Sequence, residues 1–417
     1  MNSKEVLQAT LAHREPDRLC VDFGSTAVTG VHVRMVGLLR EHFGLAPRPV
    51  KVCEPYQMLG EIEEDLLDVL GIDTIPIHSP GNLFGFRNEG WKPFTAPWGQ
   101  ELLVPERFET TTDTNGDLLI FPKGDRTAPP SGRMPVGGFF FDTIVRQPPV
   151  DEEALDPADN LEEFTVLDED ALDWYRAEAD RVKDGGRGVV TGGPGTAFGD
   201  IALVPAPFLT HPKGIRDIEE WYVSVVARPD YVHAVFEQQC RIALKNLELV
   251  HQAVGDTVDA LFVCGTDFGT QHSQFCSVDT FNSLYAPYYR RVNDWVHAHT
   301  GWKTMKHSCG AVLPFIESFI ECGFDALNPV QCSATGMDPV RLKREFGDRL
   351  VFWGGGVDTQ KTLPFGTPDE VYREVRERID IFAPGGGFIF DAIHNVQANT
   401  PVDNVVAMFQ AVEDARR

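Results

Sequence analysis

Short apolar runs alternate along this chain with longer stretches whose apolar residues recur at helical spacing, a pattern that predicts repeated strand–helix units around a parallel sheet. Eight runs have strand character: 19–23, 74–77, 188–192, 260–264, 302–306, 326–330, 350–354 and 387–390. Helical spacing fills 218–228, 230–254, 279–299, 312–322, 338–346 and 368–382. Eight strands separated by helices predict an α/β fold closed as a (β/α)8 TIM barrel. One segment, about 97–142, breaks the alternation. There Leu102-Leu103-Val104 and Leu118-Leu119-Ile120-Phe121 flank Thr114-Asn115-Gly116-Asp117, and Asn-Gly between β-type runs signals a hairpin. The expectation is a single domain over residues 1–417 with an inserted β-hairpin, bounded by proline-rich exits. No internal repeat or low-complexity tract interrupts it.

At 417 residues the chain fits one barrel carrying an insertion. A net charge of -25 opposes binding to a phosphate backbone and to anionic membranes. The N-terminal residues Met1 to Leu7 are mostly polar and lack a secretory pattern, and no apolar run has membrane-spanning length. Eight cysteines scattered through such a chain favour reduced thiols, so a cytoplasmic protein is expected.

In a barrel of this kind, reactive groups gather where the strands end. The strand ends here are polar: Asp267 and Gln271 after the fourth, His307 and Cys309 after the fifth, Gln331 and Cys332 after the sixth, Asp358 and Gln360 after the seventh, and Asp391 to Asn395 after the eighth. Side chains at i and i+2 of an extended segment point the same way, so His307 and Cys309 can grip one metal ion, zinc first. A buried histidine and a buried thiol would look the same in sequence; convergence of the other strand ends favours the site. Asp267, Gln271 and Asp358 are candidates for catalytic work, orienting substrate or a bound water, and Gln331 and Gln360 for binding substrate at the mouth. Each aspartate also reads as an ordinary cap or turn residue.

The stretch Ala12-His13-Arg14-Glu15-Pro16-Asp17-Arg18, together with Asp267-Phe268-Gly269-Thr270-Gln271, His307-Ser308-Cys309-Gly310 and Thr400-Pro401-Val402-Asp403-Asn404-Val405, resembles the uroporphyrinogen decarboxylase superfamily over most of the chain. That superfamily includes metal-free tetrapyrrole decarboxylases and zinc-dependent corrinoid methyltransferases. The decarboxylases carry an arginine-rich loop near the N-terminus; here the first strand leads into Phe23-Gly24-Ser25-Thr26-Ala27. The resemblance therefore points to the methyltransferase branch. Asp22 matches an acidic residue near that loop and is a candidate for substrate binding.

In the thiol-directed methyltransferases the last zinc ligand is a cysteine shortly before a Thr-Pro pair, a position that His394 holds here. The resemblance thus implies zinc held by His307, Cys309 and His394, with Gln331 or Cys332 as a fourth ligand. In the decarboxylases the residue matching His394 binds no metal. The implied activity is methyl transfer between a small methylated compound, an O-methyl compound above all, and the cobalt of a corrinoid. This chain has no Asp-x-His-x-x-Gly motif, so the corrinoid is expected on a partner protein. A homodimer is the implied assembly. The competing expectation is a metal-free lyase acting on a carboxylated substrate.

Overall fold

The computed structural model describes residues 1–416. Eight parallel strands form the central sheet: β1 (Cys20–Val21), β2 (Thr74–Ile77), β3 (Gly188–Gly192), β4 (Ala260–Cys264), β5 (Lys303–His307), β6 (Ala326–Asn328), β7 (Val351–Trp353) and β8 (Phe388–Phe390). They pair in the order β1-β8-β7-β6-β5-β4-β3-β2. All eight apolar runs become strands, and the sheet curls into a nearly closed (β/α)8 barrel. At the seam Asp73 joins β1 to β2: its N–H donates to the Val21 carbonyl at 2.8 Å, and its carboxylate accepts the Val21 N–H at 3.0 Å.

Strand alternation sorts the barrel interior into two levels. The lower level packs Cys20, Val190, Ala260, Met305, Ala326, Val351 and Ile389 against Val6, Leu7 and Leu11. The last three belong to the helix Ser3–Leu11, which plugs the barrel's N-terminal end and is held by an Asn2–Glu5 capping box. Gly188 allows the plug to approach, since a Cβ there would stand 2.2 Å from the Leu7 side chain. Two residues beyond Cys20, Met305, Ala326 and Ile389, the same faces carry Asp22, His307, Asn328 and Asp391, all buried.

The helices at 218–227, 229–254, 339–346 and 368–382 follow the predicted spacing closely. The stretch 279–299 is split into Val278–Leu284 and Ala286–His299. Pro287 explains the break, because its ring cannot share an uninterrupted helix with the carbonyl four residues back. Among the described residues, no helix is long and apolar enough to cross a membrane.

The added β structure is larger than one hairpin. One sheet orders 59–60, 50–54, 101–104 and 92–95; another orders 142–143, 132–134, 118–120 and 110–112. The Asn115-Gly116 turn forms where expected, with Gly116 at φ 90° and the Asp113 carboxylate accepting the N–H groups of Asn115 and Asp117. It joins Thr110–Thr112 to Leu118–Ile120, however, and Leu102 to Val104 pair instead with Lys92 to Phe94 and with Val50 and Lys51. Pro105 accounts for the difference: without an N–H it ends the strand, and Phe108 N–H closes a turn on the Pro105 carbonyl at 2.9 Å. Residues of both sheets, among them Val52, Leu102, Ile120 and Met134, share one continuous apolar cluster with the barrel's outer face.

Candidate metal centre

β5 ends with His307 turned into the barrel and Lys306 turned out of it. Lys306 is fully buried, its ammonium 5.0 Å from the centre of the Phe268 ring and 5.7 Å from those of Tyr289 and Phe319. It donates to the carbonyls of Thr266, at 2.6 Å, and of His307. One buried cation thus ties the end of β4 to the end of β5. The pairing matters because Asp267 follows Thr266, and its carboxylate accepts the Cys309 N–H at 2.7 Å.

His307 is held in one tautomer. The Asn328 side-chain amide donates to the Trp353 carbonyl at 3.1 Å, which turns its oxygen toward His307 Nδ1 at 2.6 Å. Nδ1 therefore carries the proton and Nε2 presents its lone pair, as in metal sites whose histidines are oriented by an outer partner. Cys309 Sγ lies 3.5 Å from that Nε2. Tetrahedral zinc with its usual bond lengths separates N and S ligands by about 3.5 Å.

His394 completes the group. Its ring meets that of His307 nearly edge-on at 5.5 Å, and one ligand atom from each of His307, Cys309 and His394 lies within 4.8 Å of the others. Among the described residues this is the only cluster of three or more such side chains. Asn395 positions the loop: it accepts the Gly30 N–H and donates to the Ala27 carbonyl and to Gln57. His394 Nδ1 accepts the Asn395 N–H at 2.8 Å, so binding a metal through Nε2 would require that hydrogen bond to be given up.

Burial pushes both histidines down to about 4, which keeps them neutral at pH 7, the form that ligates. Burial and Asp267 push the Cys309 thiol well up, so a metal would have to displace its proton. Burial also raises Asp267, against the Cys309 N–H and Lys306, which lower it. Two imidazoles and one thiol at this spacing fit zinc.

The other predicted residues divide. Asp267 joins the group, with Oδ1 3.8 Å from His307 Nε2. Gln331 lies beside it, its side-chain oxygen Oε1 accepting the Gly310 N–H at 2.7 Å. Gln271 and Gln360 hydrogen-bond each other at 3.0 Å and link the loops after β4 and β7 over the mouth. Asp358 instead serves its own loop, accepting the N–H groups of Gln360 and Lys361. Asp22 accepts hydrogen bonds from the hydroxyls of Ser25 and Thr74 and from the Trp353 indole N–H. Cys332 stays outside the cluster; burial pushes its thiol up to about 12, and the charged groups around it are Arg378, Glu374 and Asp338. Asn328 and Lys306 lie within predicted strands, and the sequence alone does not mark them as part of the site. For Asn328 the sequence signal is a polar residue within the apolar run 326–330; Lys306 sits in a mostly polar strand, 303–307, and carries no such signal.

The uroporphyrinogen decarboxylase (URO-D) family profile matches residues 147–415, which include every strand end from β3 to β8. The chain belongs to this family. Within the URO-D family it is similar to uroporphyrinogen decarboxylases from three strains of Coxiella burnetii, at 22% identity over 195 residues, or 45% of this chain and 48% of each relative. The chain thus spans about half the length of the curated relatives it matches. A solved methyltransferase from Methanosarcina mazei shares the fold of this URO-D family chain, with a TM-score of 0.55, 15% identity and 99% coverage of both chains.

Proposed function

We propose that this URO-D family chain is a zinc-dependent methyltransferase that moves a methyl group between a small methylated compound, with O-methyl donors favoured, and the cobalt of a corrinoid carried by a partner protein. The observation that carries this reading is the convergence of His307, Cys309 and His394 at one end of the barrel, with His307 already set to offer Nε2. Those three side chains would hold the zinc. Zinc bound there would supply a Lewis acid for the charge that builds on the heteroatom when the methyl group leaves.

The chain's own residues do the rest. Asn328 keeps the His307 proton on Nδ1, and Asp267 pins the Cys309 backbone while adding a negative charge beside the ligands. The Phe262 ring, 6.4 Å from that of His307, adds apolar surface beside it. The Gln271–Gln360 bridge spans the mouth through which a substrate enters. A metal-free carboxy-lyase is the competing reading, favoured by the names of the Coxiella relatives. Against it, the loop after β1, Phe23 to Ala27, offers no arginine to a substrate carboxylate.

The test is spectroscopic. Zinc-loaded protein mixed with cob(I)alamin and a panel of methoxylated aromatics should convert cob(I)alamin to methylcobalamin, and His307→Ala should not. Release of carbon dioxide from a carboxylated substrate by metal-free protein, without cobalt methylation, would replace this reading with the lyase.

A further inference from the structure

One of the two added sheets reaches the metal centre through the loop after β1. Residues 30–33 of that loop run between two neighbours. On one side Val31 bridges Val396, with His32 N–H donating to the Val396 carbonyl at 2.9 Å and Val396 N–H to the Gly30 carbonyl at 3.0 Å. On the other, His32 bridges Leu59, Gly60 N–H donates to the Val31 carbonyl at 2.8 Å, and Val33 N–H to the Met58 carbonyl at 2.9 Å. The added hairpin, 50–54 paired with 59–60, and the loop that carries His394 therefore flank one short segment.

Side chains span the same gap directly. Asn395 follows His394 and is buried. Its Oδ1 accepts the Gly30 N–H, and its Nδ2 donates to the Ala27 carbonyl at 2.8 Å and to Gln57 Oε1 at 2.7 Å. Gln57 Nε2 donates to the same Ala27 carbonyl at 2.9 Å. Gln57, at the tip of the added hairpin, thus grips the loops after β1 and β8 together.

Gln57 is itself fixed from behind. The Glu54 carboxylate accepts the N–H groups of Tyr56 at 3.0 Å and of Gln57 at 2.7 Å. Met58, the next residue, stands in left-handed backbone at φ 54° although it carries a side chain. Such a conformation persists where the surroundings over-determine it, and it gathers near functional sites.

Two separate constraints act on His394. Its Nδ1 accepts the N–H of Asn395, a contact between adjacent residues that needs nothing from the added sheet. Where the ring stands relative to His307 and Cys309 depends on backbone placement, and Asn395, held at Gly30, Ala27 and Gln57, fixes that backbone.

We propose that Gln57 is a positioning residue of the metal centre: by holding Asn395 it keeps His394 within reach of a metal bound to His307 and Cys309. This role rests on the zinc reading, and it makes the added sheet an outer support for the third ligand. Outer partners that orient a ligand change metal affinity about 10- to 100-fold. Gln57 acts through one further residue, so the lower end is expected.

Gln57→Leu keeps the bulk of the side chain and removes both of its hydrogen bonds. Zinc affinity, measured by competition with a chelator, should fall about 10-fold. Asn246→Leu is the control for loosening in general: its amide makes two bonds of the same kind, at 2.9 Å each, from the helix 229–254 to Thr165 and Leu167. It should leave zinc affinity unchanged. Asn395→Ala should weaken binding more than Gln57→Leu does, and adding Gln57→Leu to it should change nothing further. Cobalt(II) in place of zinc gives a signature specific to the third ligand. At saturating cobalt, Gln57→Leu should weaken the visible d–d bands while keeping the thiolate charge-transfer band from Cys309, and Asn246→Leu should give the wild-type spectrum. Unchanged affinity in Gln57→Leu, equal losses in Gln57→Leu and Asn246→Leu, or a further loss on top of Asn395→Ala would overturn the positioning role and leave the zinc site standing. A wild type that binds neither zinc nor cobalt would overturn the metal centre and this role with it.

Discussion

Cys20, Met305, Ala326 and Ile389 occupy the barrel interior on the same strands as Asp22, His307, Asn328 and Asp391, one alternation lower. The two sets share backbone, sheet and burial, yet one is apolar and closes against the Ser3–Leu11 plug, while the other is polar and orients the candidate metal centre. A step of two residues along a strand, about 7 Å, separates what holds the barrel from what the barrel holds in place. Stability and chemistry should therefore separate when the two levels are substituted in turn.

The largest effect should come from charging the lower level. Val351→Asp places an unpaired carboxylate among Cys20, Met305 and Ile389 and should cost about 3–5 kcal/mol or abolish folding, read from the urea midpoint. Met305→Ala leaves a cavity at the same level and should cost about 2–5 kcal/mol, with zinc stoichiometry unchanged in the protein that folds. Two residues on, His307→Ala should reverse the pattern. It orphans the Asn328 side-chain oxygen, costing about 1–3 kcal/mol, but removes zinc binding.

A milder change sharpens the contrast within the upper level. Asn328→Ala leaves all three candidate ligands in place and frees the His307 ring to change tautomer. Zinc affinity, measured by competition with a chelator, should fall about 10- to 100-fold. An unchanged affinity would show that the Asn328 hydrogen bond plays no part in presenting Nε2.

Acid should weaken the metal-free protein through its buried histidines. His32 donates to the Phe139 carbonyl and, like His307 and His394, is pushed down to about 4 by burial. Between about pH 6.5 and 4 the unfolded chain takes up protons that these folded histidines refuse, so stability falls as pH falls through that window. Asp200, raised to about 6 by burial, acts in the opposite sense: it contributes most below the ordinary carboxylate value and loses that contribution as pH rises through 6. His32→Gln, remote from the metal ligands, should flatten the acid-side slope of urea midpoints, and Asp200→Asn should steepen it. The smallest effect belongs to the inserted sheet. Gly116→Ala strains a residue at φ 90° and should cost about 1 kcal/mol, with no change in zinc binding.

The sequence shows the barrel more plainly than the added sheets. Parallel strands buried on both faces read as near-continuous apolar runs, so most of β1 to β8 stand out without any knowledge of their neighbours, although β5, Lys303 to His307, is mostly polar. Leu102 to Val104 read equally well as a strand, but the choice between pairing with Leu118 to Ile120 and with Lys92 to Phe94 depends on tertiary position, which Pro105 settles only once the chain is folded. At the metal centre, His307 and Cys309 are legible from their i, i+2 spacing, and His394 from the family resemblance. The surroundings of Asn328, Lys306 and Asp391 are not. Asn328 and Asp391 are polar residues in or just after apolar strands and Lys306 lies in a mostly polar one, and only the pairing of β5 with β4 and β6, and of β1 with β8, shows what faces them.

The central claim is that one end of the barrel holds zinc through His307, Cys309 and His394. Its most direct test is elemental analysis of protein prepared with added zinc, for the wild type and for folded His307→Ala, Cys309→Ala and His394→Ala variants. One zinc per chain in the wild type, lost in all three variants, is the predicted result. A wild type that holds no zinc, or zinc that survives all three substitutions, would contradict the account.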